Sequence, residues 1–150
     1  MKARVVKEVV LLYRLEEDTE LGKAIAEAVS RAGASCRYVA ADQVGETVGN
    51  LVSGSIEGKE YTGEVPEHSA MVFSGFTRNR LDDVLNRLQT ADSRNKAMKA
   101  VVTDMNREWA FGDLVKELTR EREAIRKQLL AQQEKAKAEQ EEASSVPQQQ

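Results

Sequence analysis

Ala70-Met71-Val72-Phe73-Ser74-Gly75-Phe76-Thr77, followed by Arg78-Asn79-Arg80-Leu81-Asp82-Asp83-Val84-Leu85-Asn86-Arg87-Leu88, decides the fold. A four-residue apolar run stops at Ser74-Gly75, and apolar residues then recur at Leu81, Val84, Leu85 and Leu88 with the spacing of one helical face. This is a buried strand, a tight turn and an amphipathic helix, the half-unit from which parallel sheets are built.

Working outward, Val9–Tyr13 is a second continuous apolar run, read as a strand buried on both faces. Asp18 or Thr19 can cap the helix that follows, whose face is Leu21, Ile25, Ala28, Val29 and Ala32, and Gly33 supplies its stop. Ser35–Ala40 reads as a strand interrupted by Arg37, and Ala97–Thr103 as another carrying Lys99, so both are placed at sheet edges. Val44, Val48, Leu51 and Val52 mark a helix that Gly45 and Gly49 each weaken by about 1 kcal/mol relative to alanine. Gly54, Gly58, Gly63 and Pro66 make Ser53–Ser69 a surface loop. Phe111, Leu114, Val115, Leu118 and Ile125 open a last helix, which beyond about Leu130 consists of Gln, Glu, Lys and Ala with nothing to bury.

Strands therefore alternate with helices, the pattern of an α/β domain with a parallel sheet covered on both sides. The two most apolar strands belong at the centre, which gives a short four-stranded parallel sheet of order 2-1-3-4, a relative of the flavodoxin-like topology. The expected divisions are an N-terminal extension over 1–8, the α/β domain over 9–121, a protruding charged helix over 122–143 and a disordered tail over 144–150.

Composition narrows the function classes. The net charge is −3, and only residues 77–107 carry a local excess of positive charge, too small for a nucleic-acid footprint. One cysteine, Cys36, excludes an internal disulfide framework, and one histidine, His68, leaves zinc chemistry short of ligands. Val9–Tyr13 is too short to span a bilayer or to form a signal core, which points to a cytoplasmic protein with a reduced thiol and no membrane partner. No cofactor or metal motif is present in the sequence. The Ser-Gly pairs at 53–54 and 74–75 lack the Lys-Ser/Thr of a phosphate loop.

Met71-Val72-Phe73-Ser74-Gly75-Phe76, then Leu81-Asp82 with Leu85 and Leu88, then Lys99-Ala100-Val101-Val102-Thr103 with Asn106 and Trp109, resembles a family of small bacterial proteins described as a domain of unknown function. The likeness extends over about residues 9–121 and implies a self-contained bacterial domain; it brings no activity, cofactor or catalytic residue. The acids Glu16-Glu17-Asp18 with Thr103 are also similar to the metal-binding acids and hydroxyl of receiver domains. Ser74-Gly75 stands where the phosphoacceptor aspartate of such a domain would be, and that reading is excluded.

In a parallel sheet of this order, ligands bind beyond the carboxyl ends of the strands where strand order reverses. The expected crevice lies between the loops after the first and third strands. Its candidate anion-binding residues are Ser74, Gly75, Thr77, Arg78, Arg80, Thr103 and Asn106, with Arg14 and Glu16 from the first loop. Thr77 is the expected helix cap, so Arg78 and Arg80 fall in the first turn, where a cation opposes the helix dipole unless an anion sits on the free amides. The competing reading pairs both arginines with Asp82, Asp83 or acids of the first loop. Cys36 reads as an inert strand residue, His68 lies in a loop with no acid fixed beside it, and Trp109 is expected to bury its ring between the last helix and the sheet.

Three functions are expected from these features. The first is a non-enzymatic binding or regulatory module recognising a small anion or a protein partner at the carboxyl edge of the sheet. The second is an enzyme acting on a phosphorylated or carboxylated metabolite. The third is an interaction module working through its C-terminal helix, with pairing between two copies as one form.

Overall fold

The computed structural model describes residues 7–94 and 96–145. Most of the expected N-terminal extension and all but Ser144 and Ser145 of the expected tail lie outside them. Element order is β1 (Val9–Tyr13), α1 (Glu20–Arg31), β2 (Ser35–Val39), α2 (Val48–Ser53), β3 (Ala70–Ser74), α3 (Arg78–Ala91), β4 (Met98–Val101) and α4 (Phe111–Ser145), with single 3-10 turns at Ala41–Gln43 and Asn106–Glu108. Two compact units result, one ending at Leu118 and one beginning at Thr119.

The sheet has the expected order β2-β1-β3-β4 but is mixed. β1 and β2 are parallel, β3 and β4 are parallel, and the central pair β1/β3 is antiparallel with Leu11 opposite Val72. The all-parallel, flavodoxin-like expectation is corrected here, and the cause is the connection between β2 and β3. A parallel return needs a crossover that carries the chain back along the full strand length. The 12-residue α1 and 14-residue α3 rise about 18 and 21 Å, enough for that return. The six-residue α2 rises only about 9 Å, against about 16 Å for a five-residue strand.

The loop leaving α2 is instead moored at the carboxyl end of β1. The buried Tyr13 hydroxyl donates to the Pro66 carbonyl, and the Ser69 hydroxyl donates to the Arg14 carbonyl at 2.9 Å. The chain therefore enters β3 from the edge at which β1 and β2 ended, and must run the opposite way. The result is two βαβ units joined back to back through β1 and β3, related by an approximate two-fold rotation about a line normal to the sheet.

Both faces are covered, each by its own apolar layer. Val10, Leu12, Met71 and Phe73 pack against Ile25 and Val29 of α1 and Val84 and Leu88 of α3. Val9, Leu11, Tyr13 and Val72 pack against Val48 and Leu51 of α2 and against Phe111, Leu114 and Val115 of α4, with Trp109 partly buried at the margin. The period-2 alternation of the strands thus feeds two different helix pairs. Tyr13 and Phe111 meet edge-to-face at 5.5 Å between ring centroids, which fixes the start of α4 on the sheet.

Candidate functional site

The antiparallel centre separates residues that a parallel sheet would put on one rim. Ser74 ends β3 with Gly75, Thr77, Arg78 and Arg80 following it, and Thr103 and Asn106 follow the parallel β4, so these seven residues share one edge of the sheet. Arg14 and Glu16 follow β1 and lie at the opposite edge. The crevice expected between the loops after the first and third strands is therefore not formed.

Thr77 caps α3 as expected, its hydroxyl accepting from the Arg80 amide at 3.3 Å, and Gly75 takes a left-handed φ of 83° that lets the chain turn directly into the helix. Arg80 points back across the antiparallel seam. Its Nε and Nη2 donate to the two Glu8 carboxylate oxygens at 2.8 and 2.7 Å. Nη2 also donates to the Ala32 carbonyl, and Nη1 lies 3.5 Å from Asp83. Such a two-pronged ion pair joins the amino end of β1, the end of α1 and the start of α3. The Arg80 guanidinium holds the Glu8 carboxyl below its ordinary range, mainly through these hydrogen bonds. Nothing local in the sequence marks Glu8, because its partner is 72 residues away.

Thr103 and Asn106 are committed to each other. The Asn106 side-chain oxygen accepts from the Thr103 amide at 2.8 Å, and the Thr103 hydroxyl accepts from the Asn106 amide at 3.0 Å. The Asn106 side-chain Nδ2 donates to the Val101 carbonyl at 3.0 Å. This reciprocal box closes the 3-10 turn after β4. Ser74 is half-buried, while Thr77 and Arg78 are exposed. The geometry thus brings the seven residues to one edge and spends Arg80, Thr103, Asn106 and the Thr77 hydroxyl on holding the fold.

The opposite edge carries an open cleft of about 400 Å³ lined in part by Arg14, Glu16, Glu17, Tyr38 and Ala41. Arg14 is exposed with φ of 57°, unusual for a side-chain-bearing residue, and its guanidinium stacks 5.4 Å from the Tyr13 ring centroid. Burial and the nearby Glu17 both push the Tyr38 hydroxyl above its usual pKa, so it stays protonated. Cys36 is driven up to about 11 by burial, which leaves a thiol and not a thiolate at neutral pH. His68 is exposed. No group of three or more His, Cys, Asp or Glu among the described residues is placed to hold a metal ion.

A second set of contacts involves none of the residues expected from the motifs. Glu46 is 1% exposed, and its carboxylate accepts from the Glu57 and Lys59 amides at 2.8 and 2.6 Å. These backbone donors hold the Glu46 carboxyl below its ordinary pKa. The loop they secure continues to Tyr61, whose hydroxyl donates to Asp113 at 2.8 Å and whose ring lies 4.8 Å from the Lys116 ammonium. A side chain at Gly112 would sit 2.6 Å from that ring, and one at Gly45 would sit 2.3 Å from the Lys59 carbonyl. Glycines in otherwise apolar stretches are the sequence signal that a loop packs there.

From Thr119 onward α4 carries a different surface. Every described side chain from Arg120 to Glu141 is exposed. Ile125, Leu129 and Leu130 are 57%, 53% and 52% exposed, large apolar groups left in water in a stretch, Arg120–Glu142, whose other residues are charged, Gln or Ala. No helix among the described residues is long and apolar enough to cross a membrane.

The chain is thus an α/β protein with a mixed four-stranded sheet and a long C-terminal helix, with Thr77, Arg80, Thr103 and Asn106 of its rim bonded within the domain. Residues 69–125, the segment comprising β3, α3, β4 and α4 as far as Ile125, match the family model described as Domain of unknown function (DUF3783). The matched stretch is less than half of the 150 residues, and β1, α1 and β2 lie outside it. No curated protein and no solved structure matches the chain.

Proposed function

We propose that this chain is a non-enzymatic, cytoplasmic bacterial interaction module. Its α/β domain anchors the start of α4, and the exposed stretch beyond Thr119 docks an apolar-faced helix of a protein partner. The observation that carries this reading is the exposure of Ile125, Leu129 and Leu130, each more than half open to water on a helix of high intrinsic propensity. A fully solvated helix needs no such residues, whereas helix-in-groove and helix-on-helix recognition use apolar anchors at the four-residue spacing of Ile125 and Leu129. The rim supports an anionic ligand less well, because Arg80, Thr103 and Asn106 are already hydrogen-bonded within the domain. An enzyme is supported less again: Cys36 holds its proton, and His68 has no acid fixed beside it in the sequence. The unpaired thiol fits a reducing compartment.

A photo-crosslinking residue at Ile125 of the full chain, expressed in the native host, should give a discrete protein adduct on irradiation. The same residue at Glu27, on the exposed side of α1, should give none. Absence of any adduct at Ile125 overturns the reading.

A further inference from the structure

We infer that the partner of the exposed stretch of α4 is a second copy of the same stretch, packed antiparallel. The inference rests on the docking role just proposed and names its partner. Two features of residues 120–142 carry it, and they are independent. The first is charge. Residues 120–127 hold Arg120, Arg122, Arg126 and Lys127 against Glu121 and Glu123, a net of +2. Residues 134–142 hold Glu134, Glu139, Glu141 and Glu142 against Lys135 and Lys137, a net of −2. A parallel pair would set like halves side by side, whereas an antiparallel pair sets the basic half of each copy along the acidic half of the other.

The second feature is the size of the residues along the apolar stripe. Ile125, Leu129, Gln132 and Ala136 recur at three- and four-residue spacing, on one face of the helix. The large residues lie toward the basic half and the small one toward the acidic half. With the two helices centred between Leu130 and Ala131, Ile125 of each copy stands over Ala136 of the other, and Leu129 over Gln132. Ile125 then meets a small residue and Leu129 lies along the aliphatic stem of Gln132, so the exposed Ile125 and Leu129 are covered. In register and parallel, Ile125 would meet Ile125 and Ala136 would meet Ala136, leaving a gap at one end.

Only two large apolar residues per copy lie on the seam, fewer than the three or four heptads that sustain a permanent coiled coil. The pair is therefore a reversible one, strengthened at low ionic strength by the opposed charge blocks.

Sedimentation of the full chain over a rising concentration series, at low and at high salt, tests the pairing. The expected result is a shift from 16.7 kDa toward twice that mass, weakened several-fold by high salt. The double variant Ile125→Glu, Leu129→Glu should stay monomeric with an unchanged circular dichroism spectrum. Direction is read in chains carrying Cys36→Ser with either Gln128→Cys or Lys135→Cys. On mixing under oxidation the antiparallel pair gives the mixed disulfide in excess, and a parallel pair gives the two symmetric ones. Monomer at every concentration, or symmetric disulfides in excess, overturns the inference. If monomer is found while Ile125 still crosslinks to a protein of another mass, self-pairing alone fails and the docking role stands. If Ile125 crosslinks to nothing, both fail.

Discussion

The two βαβ units are built to one plan and fastened by different means. In each, a strand is followed at once by a left-handed residue, Arg14 after β1 and Gly75 after β3, and then by a threonine cap, Thr19 or Thr77. In each, the helix is long enough to return the chain to a parallel neighbour. The β3 unit makes its turn with glycine, at no steric cost, and reaches its cap three residues after Ser74. The β1 unit makes the same turn with arginine and needs six residues to reach Thr19. What holds Arg14 in place is the incoming loop: its carbonyl accepts from Ser69, and its guanidinium lies over Tyr13 and 3.4 Å from the Pro66 carbonyl. The difference teaches that the loop before β3, and not the strand pattern, sets the direction of the second unit.

Because β1 and β3 pair at the centre and share both apolar layers, the two units should unfold as one. Leu11 is fully buried opposite Val72, so Leu11→Ala is expected to cost about 3–4 kcal/mol, transfer and cavity terms together. Urea unfolding followed by the fluorescence of Trp109 and by far-ultraviolet circular dichroism should shift to lower midpoint with the two curves coincident. Separate transitions would break the comparison, showing two units that merely touch.

A second cut is made at Arg80, which joins the β3 unit to Glu8 and Ala32 of the other. Arg80→Met should lower the urea midpoint at neutral pH. The sign of its pH dependence is set by Glu8, whose carboxyl is held low in the folded chain. The ion pair contributes fully above the unfolded carboxyl value of about 4.3 and is lost as pH falls through the folded value. The gap between Arg80→Met and the parent chain should therefore be largest near neutral pH and close in acid. A gap independent of pH would assign Arg80 to packing alone.

Much of this architecture is legible in the residues themselves. Strand order comes from apolarity, since Val9–Tyr13 and Ala70–Phe73 are the runs without a charge, while Arg37 and Lys99 mark the edges. The Thr77 cap is readable from local chemistry, and the first cap is narrowed to Asp18 or Thr19. Direction is not, because a run such as Ala70–Phe73 has no polarity along its length: it buries equally well run either way. The clue to direction lies in the six residues of α2, flanked by Gly45 and Gly54 and too short for a crossover; taking them for a crossover produces the parallel sheet. Sequence places the seven rim residues at the ends of the third and fourth strands, but Glu8 and the Ala32 carbonyl, the partners of Arg80, are set by tertiary packing, and no local spacing encodes them.

The paired left-handed residues sharpen the comparison further. Gly75→Ala places a side chain at φ of 83° and should cost about 1–2 kcal/mol, read from the urea midpoint. Arg14→Gly relieves a similar strain but frees the unfolded chain and discards the contacts of the guanidinium. Its net effect should lie within about 0.5 kcal/mol of zero. Equal losses at the two positions would mean that Arg14 is not strained and that the units turn by different geometries.

The smallest effect distinguishes the caps. Each threonine hydroxyl accepts one amide, Gly22 at 3.0 Å in the β1 unit and Arg80 at 3.3 Å in the β3 unit. The Thr19 hydroxyl also donates to the Glu16 carbonyl at 2.7 Å, tying the longer loop to its helix, in a turn so close that a side chain at Gly22 would meet Glu16 backbone. Thr19→Ala should therefore cost about 1.5 kcal/mol and Thr77→Ala about 0.5–1 kcal/mol, with serine restoring most of either loss. Thermal unfolding of the two alanine variants measures the difference. Should Thr77→Ala prove the more damaging, the longer loop is held by something other than its cap, and the short glycine turn relies on Thr77 more than its 3.3 Å bond implies.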